Sequence, residues 1–254
     1  MIAALSLAGA NVEGAVIRRA DGVALIATGL PLRIFNHVLV QDDEATPAAI
    51  EAAVDVTRQR SDEFVVSLRV GLDDPFVPLM RQLGLAPLSE GPWLPGMALF
   101  PVPEAASPGL QPEHEIRQVT GRAALEDHIR TAAAGFEMQE TPLRAFMTMN
   151  LIGRDGVAVY VGYTDGEPVT TGVGICTGRT IGVYNIATIP SARQRGYGAA
   201  MTARIAADGV AAGCDVATLQ ASKMGYRIYE RLGYRTVVEY MGYIDPVSID
   251  TRAP

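Results

Sequence analysis

Beyond residue 113 the apolar positions switch between two periods along the chain. HEIRQVT (114–120) alternates as a strand does, and GRAALEDHIRTAAAGF (121–136) carries its apolar residues at helical spacing. A second helix is predicted over LRAFMTMNLI (143–152), after Thr141-Pro142. Residues 157–178 alternate on both sides of Asp165-Gly166, which reads as a hairpin turn. GVYNIATI (182–189) is apolar and β-branched, as a buried strand requires. The alanine-rich run 191–213 then reads as a helix that stops on Gly213. CDVATLQAS (214–222) is a further strand, KMGYRIYERLG (223–233) a helix closed by Gly233, and YRTVVEYMGYI (234–244) a last strand.

The first hundred residues hold a shorter version of this order, a helical TPAAIEAAVDVTRQR (46–60) followed by a β-rich FVVSLRV (64–70). Phe35-Asn36 stands to Tyr184-Asn185 as Leu83-Gly84-Leu85 stands to Leu232-Gly233-Tyr234, and both offsets are 149 residues. Equal offsets with equal element order indicate an internal duplication. Between the halves, PVPEAASPGLQPEHE (101–115) carries four prolines and a Pro-Gly pair and reads as an exposed linker. The expected domains are therefore 1–105 and 113–245, with 246–254 as a tail.

Composition narrows the function without naming it. A chain of 254 residues, 48% hydrophobic and 19% charged, has the balance of a soluble globular protein. Its net charge of −7 argues against a nucleic-acid surface, which needs clustered Lys and Arg. The opening MIAALSLAGA has no basic residue before it and is too short to span a bilayer. No membrane partner is expected, and the location expected is cytoplasmic. Cys176 and Cys214 make no disulfide framework, and neither has a Cys or His at metal-ligand spacing, so no metal site is expected. Cys214, among apolar neighbours, reads as a small core residue.

Chemistry concentrates at Arg193-Gln194-Arg195-Gly196-Tyr197-Gly198, between a predicted strand and a predicted helix. Such a loop is an anion cradle: its N–H groups converge and the helix behind supplies its positive end. Gly196 and Gly198 bring no Cβ to hold a phosphate away, and the arginines can add charge-assisted bonds. Taken alone, the pattern also fits an ordinary glycine-rich turn. A dinucleotide fingerprint is excluded, because its third glycine position is Met201.

The run NIATIPSARQRGYG, Asn185 to Gly198, resembles the acetyl-CoA motif of the GNAT superfamily of N-acetyltransferases. LQASKMGYRIYERLGY, Leu219 to Tyr234, resembles that family's second motif, and the likeness extends over about Glu113 to Asp245. It implies an α+β (mixed α/β) fold, a central, mostly antiparallel sheet flanked by helices. With the duplication it implies two such domains, the first truncated. It also implies acetyl-CoA as co-substrate, its pantetheine arm along Ile186, Ala187 and Thr188, with the Ile186 N–H toward the thioester carbonyl. The pyrophosphate would lie on Arg193, Gln194, Arg195, Gly196, Tyr197, Gly198 and Ala199, chiefly on their backbone. Ser222 stands where the family usually has Asn; it either contacts the cofactor or caps the helix that follows. Tyr229 falls at the place of the general acid, with Tyr226 a weaker candidate on nearly the same helix face.

A general base is harder to find. GVYNIATI has no carboxylate, and Asp215 sits at the far end of the next strand. Glu137 and Glu140 read as loop charges that can line the acceptor site, and His114 and His128 as surface or packing residues. In the first half, Asp42 to Pro47 stands where the glycine loop stands in the second, and Met80 matches Tyr229. That half is expected to bind no CoA; its role is to cover the other domain or, through Trp93 and Phe100, to wall the acceptor cleft. The expected activity is acetyl transfer to a primary amine by direct attack in a ternary complex, by a monomer or homodimer. The alternative is an acyl-CoA-binding or sensing module without chemistry.

Overall fold

A computed structural model describes residues 6, 9, 10, 12–103 and 114–246. The first half contributes β1 (Val16–Ala20), β2 (Val23–Ala27), β3 (Asn36–Val40), α1 (Pro47–Arg58), β4 (Val65–Arg69), α2 (Val77–Gln82), β5 (Ala86–Pro87) and β6 (Gly96–Leu99). Next come β7 (His114–Gln118), α3 (Arg122–Phe136), α4 (Glu140–Phe146), α5 (Met149–Ile152), β8 (Val157–Thr164) and β9 (Glu167–Thr177). The chain ends with β10 (Thr180–Thr188), α6 (Tyr197–Ala211), β11 (Val216–Gln220), α7 (Tyr226–Arg231), β12 (Arg235–Val238) and β13 (Tyr240–Ile244).

These elements form two compact units: a first, of residues to Gly96 and from Thr236 on, and a second, Met97–Arg235. The division comes before the proline-rich run rather than within it, and ten linker residues, 104–113, lie outside the described residues, as does the tail from 247. The strand expected over 234–244 is two strands. β12 carries the chain across the boundary, and β13 joins the first unit's sheet. There Tyr240 to Tyr243 pair antiparallel with Arg69 to Val66 of β4, and Ile244 is fully buried.

The first unit's sheet runs β1-β2-β3-β4-β13-β5, with β3 and β4 parallel and the pairs β1-β2, β2-β3, β4-β13 and β13-β5 antiparallel. α1 buries Ile50, Ala53, Val54 and Thr57 at helical spacing, and its apolar face packs with Val38, Val40, Phe64 and Val66. Burying each of Ile50 and Val54 is worth about 1.5–3 kcal/mol. Thr46 starts the helix, its Oγ1 accepting from the Ala49 N–H at 3.2 Å, and Pro47 follows where no N–H is needed.

Within the second unit the sheet runs β6-β11-β10-β9-β8-β7. β7 to β10 are antiparallel neighbours, and β10 and β11 are parallel. Met97 and Leu99 of β6 belong to its core, together with Val183, Met201, Ile205 and Leu219. α3 can approach β10 because Gly135 lacks a Cβ, which would come 2.8 Å from Ala187 Cβ. α6 does the same at Gly209, against Ile181. The single helix expected over 143–152 is broken at Met147, whose ψ of 87° leaves the helical region. Thr148 restarts it by accepting from the Leu151 N–H at 3.3 Å. Cys214 is buried, with its Sγ 3.5 Å from Cys176 Sγ. Among the described residues no helix is long and apolar enough to cross a membrane.

Candidate functional site

β10 and β11 make a fork. They pair only at Thr180↔Val216, Ile181↔Ala217 and Gly182↔Thr218, so the edge of β10 from Val183 to Thr188 is not closed by β11. On the other edge Tyr184 pairs with Val173 and Ala187 with Thr171, which sets Asn185 and Ile186 opposite Gly172 alone. Two residues against one is a β-bulge, and it bends the strand. Asn185 takes a φ of 54°, a left-handed conformation that Asn tolerates better than most residues. Opposite, a Cβ on Gly172 would come within 2.9 Å of Ile205, Met201 and Ile186, so glycine there lets the bulge and α6 approach. The result is an open strand edge at Ile186, Ala187 and Thr188.

The open edge leads to the glycine loop. A 3-10 turn, Pro190–Ala192, is followed by Gln194 and Gly196 at φ of 66° and 85°, and α6 begins at Tyr197 with no side chain capping it. A 15-residue helix therefore presents uncapped N–H groups and its positive end to the loop. A Cβ on Gly196 would meet nothing within 4 Å, so the space in front of it is open. Arg195 is exposed and forms no ion pair among the described residues. Arg193 is engaged elsewhere: its guanidinium reaches Gly135 O at 2.8 Å, Thr188 O at 3.3 Å and Glu137 at 2.8 Å. It ties the end of α3 to the end of β10. The Tyr197 ring is buried and stacks on His114 at 4.4 Å, so its side chain belongs to the packing of the unit.

At the other arm of the fork, the Ser222 hydroxyl accepts from the Gly225 N–H at 3.1 Å and so holds the turn into α7. The N-cap of α7 is Gly225, with no side chain bonded to the helix start, so Ser222 shapes the turn that precedes the helix. Tyr229, 9% exposed, packs in one apolar cluster with Val183 of β10 and with Leu219 and Ala221 after it, beside the diverging strands. Its ring lies over Gly225, where a Cβ would come 2.7 Å from the ring, and it meets Tyr234 edge-on at 6.1 Å. Burial pushes the Tyr229 hydroxyl up to about 12, so it holds its proton at neutral pH.

The fold joins two residues whose contact local sequence does not announce, His128, read as a surface or packing residue, and Asn185, read only as the start of the first motif. His128, fully buried on α3, lies with Nδ1 2.9 Å from Tyr160 O and Nε2 2.8 Å from Asn185 Nδ2. They stand 57 positions apart, and nothing local marks the pair. The two acids considered for the acceptor site are both ion-paired, Glu137 with Arg193 and Glu140 with Arg144 at 2.6 Å. Between α3 and the α4–α5 segment lies a cavity of about 500 Å³, lined by Leu125, Ile129 and Met147 with Arg122, Glu126 and Arg144 at its polar side.

Residues 155–236 match the family model of the acetyltransferase (GNAT) domain, a stretch that holds the expected cofactor-binding residues and Tyr229. No curated protein matches the chain. Among solved structures, a GCN5-related N-acetyltransferase from Kribbella flavida is similar with a TM-score of 0.69 at 19% identity, over 96% of this chain and 94% of that one. A GCN5-related N-acetyltransferase from Sphaerobacter thermophilus gives 0.61 at 13% identity, over 91% and 82%. A tandem GNAT protein from the clavulanic acid biosynthesis pathway gives 0.60 at 13% identity, over 91% and 83%. At such identities the likeness is one of fold: mixed α/β, two mixed sheets with helices, GNAT-like.

Proposed function

We propose that the second unit transfers an acetyl group from acetyl-CoA to a primary amine of a small molecule or peptide, by direct attack while both are bound. The fork carries this reading: an unpaired strand edge that runs into an uncapped helix start suits a chain of amides ending in a pyrophosphate. Acetyl-CoA would supply the acyl thioester. The edge at Ile186, Ala187 and Thr188 would hold the pantetheine arm, with the Ile186 N–H on the thioester oxygen. Backbone N–H groups from Gln194 to Ala199 would hold the pyrophosphate, helped by Arg195, while Arg193 keeps the loop in shape. As the amine nitrogen bonds to the carbonyl carbon and the C–S bond breaks, Tyr229 gives its proton to the leaving sulfur and regains one released by the amine through solvent. Protonated at neutral pH, Tyr229 is in the right state for that step.

We further propose that the first unit is a copy of the same fold that binds no CoA. Acids at Asp42, Asp43 and Glu44, the Thr46 cap and the buried Met80 in place of Tyr229 support this. The lack of a carboxylate on β10 and β11 favours a second reading of the whole, an acyl-CoA-binding module without chemistry. Release of free thiol from acetyl-CoA, measured with and without a panel of primary amines, separates the two. Amine-dependent release supports transfer; tight binding with no release supports the module.

A further inference from the structure

A carbonyl oxygen only accepts, so the His128 nitrogen 2.9 Å from Tyr160 O must carry the hydrogen. Burial lowers the ring to about 4, so it is neutral at working pH and its Nε2 keeps a lone pair. The Asn185 group 2.8 Å away must then be the donor, its Nδ2. That assignment fixes the amide: its two ends are no longer interchangeable, and Oδ1 is left as an acceptor. The Asn185 backbone is held as well, its carbonyl taking the Thr171 hydroxyl at 3.0 Å. Both residues belong to the second unit, and Asn185 sits in the bulge beside Ile186. A left-handed position alone would be served as well by glycine. It does not call for a buried histidine with both nitrogens engaged.

We propose that Asn185 Oδ1 receives an N–H of the acceptor amine next to the acyl carbon, and that His128 is the positioning residue that keeps that oxygen presented. The inference rests on the acetyl-transfer reading above. An amine that points its lone pair at a carbonyl carbon directs its N–H bonds away, toward acceptors. A neutral carboxamide oxygen orients the nitrogen without trapping its proton, which leaves to solvent. A primary amine has one N–H to give Oδ1 and another to lose on acylation, whereas a secondary amine must lose the only one it has.

The test compares Asn185→Gly, which keeps the left-handed backbone, with His128→Gln and His128→Leu. Gln can donate to Tyr160 O and accept from Asn185 with the spacing of the two ring nitrogens. Kinetics are read as thiol release with the best substrate among spermidine, benzylamine, glycinamide and lysine, and acetyl-CoA binding is titrated separately. In Asn185→Gly the KM for the amine should rise about tenfold, the worth of one neutral hydrogen bond, with the KM for acetyl-CoA within twofold of wild type. His128→Leu should match it and His128→Gln should stay near wild type. If His128→Leu does not fold, the other two variants decide. Unchanged amine KM and kcat in Asn185→Gly, or equal losses for both substrates, would overturn this inference alone. Absence of thiol release with every amine would overturn the acetyl-transfer reading, and this one with it.

Discussion

Two helices, one in each unit, begin just after a strand that has a parallel partner, and they begin in opposite ways. α1 starts on a threonine cap and a proline, behind Asp42, Asp43 and Glu44, and α6 starts uncapped on Gly196 at a φ of 85°. The strands before them differ too. β3 pairs with β4 at His37, Val38 and Leu39, to within one residue of its end, whereas β10 leaves β11 at Gly182, six residues short of its end. Past that end Arg69 of β4 laces the first unit shut, donating to Gln41 O at 3.0 Å and pairing with Asp43 and Asp73. The β1–β2 turn also fills the corner, since a Cβ on Gly22 would overlap the Ala45 backbone. One element order thus gives a closed corner or an open one, depending on whether side chains close off the strand edge and the helix start or leave them free.

Making the open corner like the closed one should have the largest effect. Gly196→Glu brings a carboxylate to the helix start, as Asp42, Asp43 and Glu44 do just before α1, and acetyl-CoA affinity should fall by about 100-fold or more, the worth of lost charge-assisted bonds. The fold should survive: the new Cβ meets nothing within 4 Å, and the left-handed backbone costs about 1–2 kcal/mol. Wild-type affinity by titration in a normally melting variant would mean that the cradle lies elsewhere.

Tyr229→Phe tests the other arm of the fork. If Tyr229 is the acid, turnover should drop by roughly 10²- to 10⁴-fold with the KM for acetyl-CoA nearly unchanged. Tyr226→Phe serves as the control. A dead Tyr226→Phe beside an active Tyr229→Phe would shift the second motif by nearly one helical turn.

The units share an acid liability that sharpens the comparison in another way. Each buries a neutral histidine, His37 lowered to about 3 and His128 to about 4, burial being the first cause in both. Both folded values lie below the unfolded one, so on acidification the unfolded chain takes up the proton first and stability falls as pH drops from about 6.5 toward 4. The slope is up to about 1.4 kcal/mol per pH unit for each. Melting of His128→Gln against wild type should therefore show a difference that moves in the variant's favour as pH falls. A difference that stays constant with pH would show that His128 is not held neutral.

The open corner was legible because its parts are local. The glycine loop, the strand before it and the helix after it lie within about thirty residues, and Tyr229 stands at the spacing from Ser222 and Gly233 that a single short helix sets. The exchange that sends β13 back to β4 was not legible, because its partners are some 170 residues apart and alternation says only that a strand forms, not where it pairs. The Asn185–His128 pair was hidden for the same reason. Arg193 differs: a cation in an anion loop invites a ligand, and only the fold shows that its guanidinium meets Gly135 O and Glu137. The break at Met147 was missed because Thr148 fits a helix interior and a helix start equally well by composition.

The smallest expected effect asks whether the first unit's cap is what closes it. Thr46→Ala removes the hydroxyl that accepts from the Ala49 N–H and should cost about 1 kcal/mol of stability, read from a denaturant melt. Acetyl-CoA stoichiometry, by calorimetric titration, should stay at one per chain in wild type and variant alike. Uncapping frees one N–H, but Pro47 still has none, Asp42, Asp43 and Glu44 still precede the helix, and β3 and β4 remain paired to within one residue of the strand end. Like charges would still oppose a pyrophosphate there. A second equivalent in the variant would mean that the threonine alone hides a working cradle. The two corners would then differ by a single hydroxyl rather than by the pairing of the strands, and the first unit would be a closed site instead of a lost one.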